Sequence, residues 1–130
     1  MNAPDRIDRI AYLIWAATPD RPELVVTPLI HALAARALDA EVEIHFAGPA
    51  VRWLVSGDAE AQFATADREK PISTFLQEAA AAGVTLLACS MASAAWVGEK
   101  EQLIAACNGQ AGATAYVARL LDPAWKTAVF

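Results

Sequence analysis

Short apolar runs alternate with helical patterns along this chain of 130 residues. Residues 7–15 and 84–88 form dense apolar runs typical of buried strands, and a final strand is predicted over 126–130. The segments between the runs carry apolar residues at helical spacing. Parallel strands need crossover connections, so this alternation predicts a mainly parallel sheet with helices on both faces. We therefore expect one α/β domain over residues 1–130, a three-layer α/β/α sandwich.

Proline and glycine mark the limits of the first predicted helices. The first begins at Pro22, or at Pro28 with Thr27 as its cap, because proline is favoured in the first helical turn. The second begins at Pro71 and ends at Gly83, where glycine suits a left-handed cap.

Three further segments have less regular signals. Acidic residues in a first turn predict a helix over 99–107, and Asp122-Pro123 closes another over 113–121. Residues 50–55 are predicted as a short helix. Residues 57–70 are polar and without period, which predicts a loop.

One predicted strand, residues 41–47, has a polar face. Its apolar side chains alternate with polar ones, and the polar set is Glu41, Glu43 and His45. A strand with one polar face is typical of a position near the edge of a sheet.

Composition excludes several classes of protein. The hydrophobic fraction is 56% with only 19% charged residues, so apolar surface is expected to remain on a monomer and to favour a homo-oligomer. The net charge of −5 and the scattered basic residues argue against nucleic acid as a partner. No stretch approaches the roughly 20 apolar residues of a membrane span. Residues 1–6 have mixed charge, unlike a signal peptide, so we expect a cytoplasmic protein with reduced cysteines.

Cys89 is the leading candidate for chemistry. It stands where the run 84–88 ends, and the carboxyl ends of parallel strands are where α/β folds hold ligands. The residues after it are small, and Ser90 could cap a short helix whose N–H groups face the sulfur, which favours a thiolate. The alternative is a buried structural cysteine, a common fate of free thiols.

The other candidates are binding residues around this thiol. Arg52 and Trp53 follow the second strand, and Arg52 would attract an anionic sulfur species; a surface arginine and a packing tryptophan are the simpler interpretation. Ser90 and Met91 belong to the turn itself, and Trp96 could cover it or meet a neighbouring subunit.

A general base for Cys89 could come from His31 or His45, and the strand position favours His45. Cys107 has no CxxC partner and no metal-ligand spacing to Cys89. The sequence contains no GxSxG, phosphate loop or GxGxxG motif. We predict no cofactor and no metal.

The stretch from Glu78 to Ala92, with Gly83-Val84, an apolar strand and Ala88-Cys89-Ser90-Met91, resembles the DsrE/DsrF-like family. The Gly98-Glu99 segment and the tail after Gly112 are similar as well. The resemblance implies a cytoplasmic five-stranded α/β fold and homo-oligomers, often trimers or hexamers. It also implies that Cys89 carries sulfur as a persulfide, as the matching cysteine does in sulfur-oxidising and tRNA-thiolating relatives.

Three functions follow as hypotheses. The first is a sulfur carrier or sulfurtransferase-like protein that accepts sulfur on Cys89 from a donor protein and passes it to an acceptor. The second is a small oligomeric binding or regulatory protein with Cys89 as a pocket wall. The third is a redox sensor that pairs Cys89 with Cys107, which requires Cα atoms within about 7 Å.

Overall fold

The computed structural model describes residues 7–130 as a five-stranded parallel sheet with helices on both faces, as the sequence predicts. Residues 1–6, whose charge argued against a signal peptide, lie outside the described residues. The strands are β1 (Arg9–Ile14), β2 (Glu41–Phe46), β3 (Thr85–Ala88), β4 (Gly109–Gln110) and β5 (Trp125–Val129). The helices are α1 (Val26–Ala37), α2 (Ile72–Ala81), α3 (Ser90–Trp96) and α4 (Ala113–Leu121).

The strand order is β4-β3-β2-β1-β5, and every neighbouring pair is parallel. The chain steps from β1 to β4 in one direction and then returns past β1 to add β5. Crossovers between parallel strands are right-handed, so this reversal places α4 on the opposite face from the other helices. The face under α4 is therefore covered by one helix.

The main core lies on the other face. Ile14, Ile44 and Leu86 point into it from β1, β2 and β3, and each is wholly buried. They pack with buried residues of α1, α2 and a 3₁₀ helix, Gly48–Leu54. The face under α4 holds a smaller cluster of Ala11, Tyr116 and Trp125.

The predicted edge position of β2 is wrong, because β2 is the middle strand. Glu43 and His45 on its polar face are buried rather than solvated. A polar face is tolerated there because the two side chains bind each other and Arg119 of α4.

The predicted helix over 99–107 is also wrong. The segment is irregular and pairs with the end of the 3₁₀ helix: Val55 bridges Leu103, and the Ile104 N–H donates to the Leu54 carbonyl at 2.8 Å. The acidic side chain in the supposed first turn, Glu101, accepts from the Gly98 N–H at 2.7 Å and closes a local turn instead. Asn108 then leads into β4, a short edge strand missed by the sequence reasoning.

The remaining limits agree more closely. A 3₁₀ turn, Pro22–Leu24, precedes α1, which begins at Val26 with Val25 rather than Thr27 as its cap. Gly83 follows α2 with a φ of +95°, the left-handed conformation expected. The predicted loop 57–70 contains one 3₁₀ turn, Ala59–Ala61, and is closed by a bridge between Phe63 and Pro71.

Candidate functional site

A cavity of about 210 Å³ opens at the carboxyl ends of three neighbouring strands. Ala47, Cys89 and Ala111 are the first residues after β2, β3 and β4, and all three line it. The Cys89 N–H donates to the Phe46 carbonyl at 2.9 Å, which continues the sheet pairing one residue beyond the strands. The ends of parallel strands are where α/β folds bind ligands. The cavity therefore lies at the edge of the sheet where the sequence predicts a ligand site beside Cys89.

Helix α4 forms the opposite wall of the cavity. Gly112 is its N-cap, and Gly112, Ala113, Tyr116 and Val117 line the space with Leu13 of β1. The first N–H groups of a helix carry partial positive charge, so this wall presents partial positive charge to the cavity. Cys89 itself is half-buried and is the N-cap of α3, with its carbonyl accepting from the Ser93 N–H at 2.8 Å.

His45 lines the same cavity as Cys89. It is paired in register with Leu87, and Cys89 lies two residues further along that strand direction, on the same face of the sheet. The His45 ring meets the Tyr116 ring edge-on, with centroids 5.3 Å apart. Of the two histidines weighed as bases, the fold brings His45 to the cavity that Cys89 lines. His31 is exposed on α1 and stacks edge-on against Phe130.

Behind His45 lies a buried carboxylate, Glu43. His45 Nε2 is 2.9 Å from Glu43 Oε1, and Arg119 reaches the same carboxylate through Nε at 2.8 Å and Nη2 at 3.2 Å. Burial acts to raise the pKa of Glu43, but the hydrogen bonds from Arg119 and His45 outweigh it and hold the pKa below its ordinary value. Glu43 therefore stays ionised at neutral pH.

The structure separates several predicted binding residues from this cavity. Trp53 is wholly buried in the main core, where its indole N–H donates to the Ala17 carbonyl at 2.6 Å. Arg52 is engaged by two carboxylates, Asp58 and Glu101, and hydrogen bonds to Glu101 and then Asp58 raise its pKa above the ordinary value. Its charge is thus neutralised within the fold.

The α3 candidates lie around a second, more open cavity of about 240 Å³. Met91 and Trp96 line it together with Cys89, and their side chains are largely exposed. Cys89 is thus reached from two sides, through the cavity under α4 and along α3. Ser90 faces a different depression, shared with Glu101 and Gln110.

The two cysteines are both free and lie apart. Leu87 pairs with Gly109, so Cys89 lies two residues beyond this pair and Cys107 two residues before it. At a rise of about 3.3 Å per residue this is a separation on the order of 13 Å along the sheet, well beyond the reach of a disulfide. The register therefore argues against a Cys89–Cys107 redox pair. No group of three or more His, Cys, Asp or Glu side chains within residues 7–130 is arranged to hold a metal ion.

A family model described as the DsrE/DsrF-like family matches residues 11–126 of the sequence. The chain belongs to the DsrE/DsrF-like family. Among solved structures, this DsrE/DsrF-like chain is similar to the YchN protein from E. coli, with a TM-score of 0.76 and 15% identity over 95% of this chain and 100% of that one.

A second similar structure is a protein of unknown function, MTH1491 from Methanobacterium thermoautotrophicum. Its TM-score is 0.63 and its identity 17%, over 95% of this chain and 99% of that one. Both similarities concern the fold alone, and they support an α/β fold for this chain. A search of curated proteins gave no match. None of the helices described for this family member is long and apolar enough to cross a membrane.

Sequence reasoning missed the α4 wall and the residues behind His45. Gly112, Tyr116 and Arg119 reach the site only because β4 sets where α4 begins, and β4 has no strand signal in its two residues. Glu43 had a usable signal, since period-two alternation puts it on the same strand face as His45.

Proposed function

We propose that this protein is a sulfur carrier that holds sulfane sulfur on Cys89 as a persulfide. The observation that carries the proposal is a half-buried thiol in a ligand-sized cavity, beside the first turn of α4 and the buried His45. Membership of the DsrE/DsrF-like family supports it. A carrier needs a reachable nucleophilic thiolate, and it needs partial shielding so that the persulfide is not lost to solvent.

The loading step conserves atoms and electrons. The Cys89 thiol transfers its proton to His45, and the thiolate attacks the outer sulfur of a donor persulfide, R–S–SH. A bond forms between Cys89 Sγ and the outer sulfur, the donor S–S bond breaks, and R–S⁻ leaves and takes up the proton. Unloading repeats the exchange with an acceptor thiolate that attacks the outer sulfur and releases Cys89.

The two cavities beside Cys89 suit such an exchange. The one under α4 is lined mainly by carbon atoms of alanine, leucine and valine, and with Arg52 engaged elsewhere no free cation lines it among the described residues. An uncharged sulfur chain fits these walls better than the anionic, sulfite-like ligand that Arg52 was expected to favour. The exposed Met91 and Trp96 lie on the side from which a partner's cysteine can approach.

The test is sulfur loading followed by intact mass. Protein incubated with a small organic trisulfide and a thiol, which together generate a persulfide, is expected to gain the mass of one sulfur atom. Cys89→Ser should not gain it, while Cys107→Ser should load like the parent. Absence of added sulfur on the parent, or equal loading of Cys89→Ser, would contradict the proposal.

One observation favours a second candidate function, a non-catalytic binding role. The cavity is largely apolar and of a size for a small ligand, with Cys89 as one wall residue. In that case Cys89 would alkylate no faster than a simple thiol peptide, and mass spectrometry would show no added sulfur.

We also propose a homo-oligomer. Val117, Leu120 and Leu121, which we call the α4 patch, are spaced along one side of α4 and are 44%, 57% and 77% exposed. They lie on the sheet face covered by a single helix, with Val129 of β5 also exposed. Contiguous exposed apolar surface on a small domain favours association. A trimer or hexamer is the expected assembly.

A further inference from the structure

A chain of three polar side chains runs from α4 to the wall of the Cys89 cavity. Arg119 holds the Glu43 carboxylate with two hydrogen bonds, and Glu43 Oε1 is 2.9 Å from His45 Nε2. The Arg119 guanidinium also lies 4.0 Å over the Trp125 ring, which keeps it on this side of the sheet. Glu43 and His45 are 8% and 3% exposed, so the hydrogen bond between the carboxylate and the imidazole ring is shielded from water.

The chemistry of this contact fixes which ring nitrogen carries a proton. An ionised carboxylate only accepts hydrogen bonds, so the nitrogen facing Glu43 must be a donor. In the neutral imidazole the other nitrogen is then an acceptor. That nitrogen, His45 Nδ1, makes no hydrogen bond with any residue between 7 and 130, while the ring itself lines the cavity that Cys89 lines.

We propose that Glu43, oriented by Arg119, is a positioning residue that keeps the proton on His45 Nε2 and leaves Nδ1 to take the proton of the Cys89 thiol. The inference rests on the proposed role of Cys89 as a nucleophile. Glu43 acts through His45 and does not touch the reacting sulfur. Arg119 in turn supplies the charge and the geometry that hold Glu43 in place.

The described residues packed around His45 add no charged group besides Glu43 and Arg119. The tyrosine ring of Tyr116 packs on it from α4, Leu13 and Leu87 flank it from β1 and β3, and Cys89 lies at the cavity. Glu41 and Asp122 act on these three side chains through Arg119, whose pKa their charges help to raise. Glu43 is therefore the carboxylate that contacts His45, and Arg119 is the cation that contacts Glu43.

The experiment measures alkylation of Cys89 by iodoacetamide in a Cys107→Ser background, so that one thiol reports. Glu43→Gln keeps the size of the side chain but removes its charge and lets an amide N–H face the ring. We expect the rate at pH 7 to fall about tenfold, the change that corresponds to one pKa unit. The deficit should shrink at pH 10, where hydroxide removes the thiol proton without help.

Glu78→Gln is the matched control. It makes the same substitution on the surface of α2, on the other face of the sheet, where Glu78 pairs with Lys70 at 2.5 Å. Its alkylation rate should equal that of the parent. An unchanged rate in Glu43→Gln at pH 7, or a deficit of equal size at pH 10, would overturn the positioning role.

A second measurement needs no variant. ¹⁵N shifts of the imidazole nitrogens distinguish the two tautomers, and the exposed His31 serves as an internal reference. A His45 ring protonated only at Nε2 supports the proposal, and a ring protonated at Nδ1, alone or together with Nε2, while Cys89 is still a thiol overturns it. These outcomes are separate from sulfur loading. If the protein gains no sulfur but Glu43→Gln slows alkylation of Cys89 as expected, only the carrier function is contradicted.

Discussion

Arg52 forms a two-pronged ion pair with Glu101, with N–O distances of 2.6 and 2.9 Å. The same guanidinium binds Asp58 at 2.9 and 3.0 Å and the Trp96 carbonyl at 3.1 Å. One side chain thus ties the 3₁₀ helix after β2 to the end of α3 and to the irregular segment that follows it. The segment predicted as a helix is tied to the 3₁₀ helix by this arginine.

We expect Arg52→Ala to lower the free energy of unfolding by about 1 kcal/mol, mainly because the half-buried Asp58 carboxylate loses two charged hydrogen bonds. Urea denaturation measures the loss, and salt should reduce it. Arg21→Ala is the control, since Arg21 pairs with Glu23 at the surface and its loss should be too small to detect. Equal midpoints for the parent and Arg52→Ala would contradict a structural role.

Trp53 and Trp96 were both candidates for the site, and their substitutions should separate them. Trp53→Phe removes a buried indole that donates to the Ala17 carbonyl, so we expect a loss of about 2–3 kcal/mol of stability. Trp96→Phe, at an exposed position, should leave stability unchanged. Sulfur loading of Cys89 should survive Trp53→Phe at temperatures where the variant is folded; a specific loss of loading there would show that Trp53 belongs to the site.

The Glu43 carboxylate should make stability depend on acid. Its pKa is lowered in the folded protein, where burial is outweighed by hydrogen bonds from Arg119 and His45. Its contribution is therefore complete above its unfolded pKa of about 4.3 and is lost as pH falls through the lower folded value. Urea denaturation at pH 7 and pH 3 should show a smaller acid loss for Glu43→Gln than for the parent, whereas an identical acid loss would place Glu43 outside this linkage.

Tyr116→Phe tests the lining of the cavity. The Tyr116 hydroxyl is buried and has no hydrogen-bond partner among residues 7–130, and an unpaired buried hydroxyl is destabilising. We expect the phenylalanine variant to be as stable as the parent or about 1 kcal/mol more stable, while the ring contact with His45 is kept. A loss of more than 1 kcal/mol in thermal or urea unfolding would mean that the hydroxyl has a partner in solution.

Charge on the α4 patch should break the proposed oligomer. We expect Leu120→Glu with Leu121→Glu to reduce the mass measured by light scattering to that of one chain, because a carboxylate cannot be buried unpaired in an apolar contact. Leu38→Glu is the control: Leu38 is 81% exposed but follows α1 on the other side of the sheet. A single-chain mass for the parent itself would rule out the α4 patch as an interface.

Much of the framework could be predicted from local patterns. The apolar run before Cys89, Gly83 after α2 and Asp122-Pro123 after α4 each depend on side chains within a few residues, so their signals are local. The helix predicted over 99–107 does not form, because acidic residues in a first turn give only a weak local preference for helix. Its tertiary alternative, the contacts of Leu103, Ile104 and Glu101 with the 3₁₀ helix, is stronger and involves residues about fifty positions away.

By itself, the sequence determined the class of fold and put Cys89 at the end of a strand, because periodicity and turn chemistry are short-range properties. The tertiary structure alone decided what surrounds the thiol. It moved β2 to the middle of the sheet, and it gave α4 the opposite face because the return to β5 reverses the direction of the crossover. Those two placements bring Arg119 to Glu43, Glu43 to His45 and His45 to the cavity of Cys89, through contacts between distant residues that a linear pattern cannot encode.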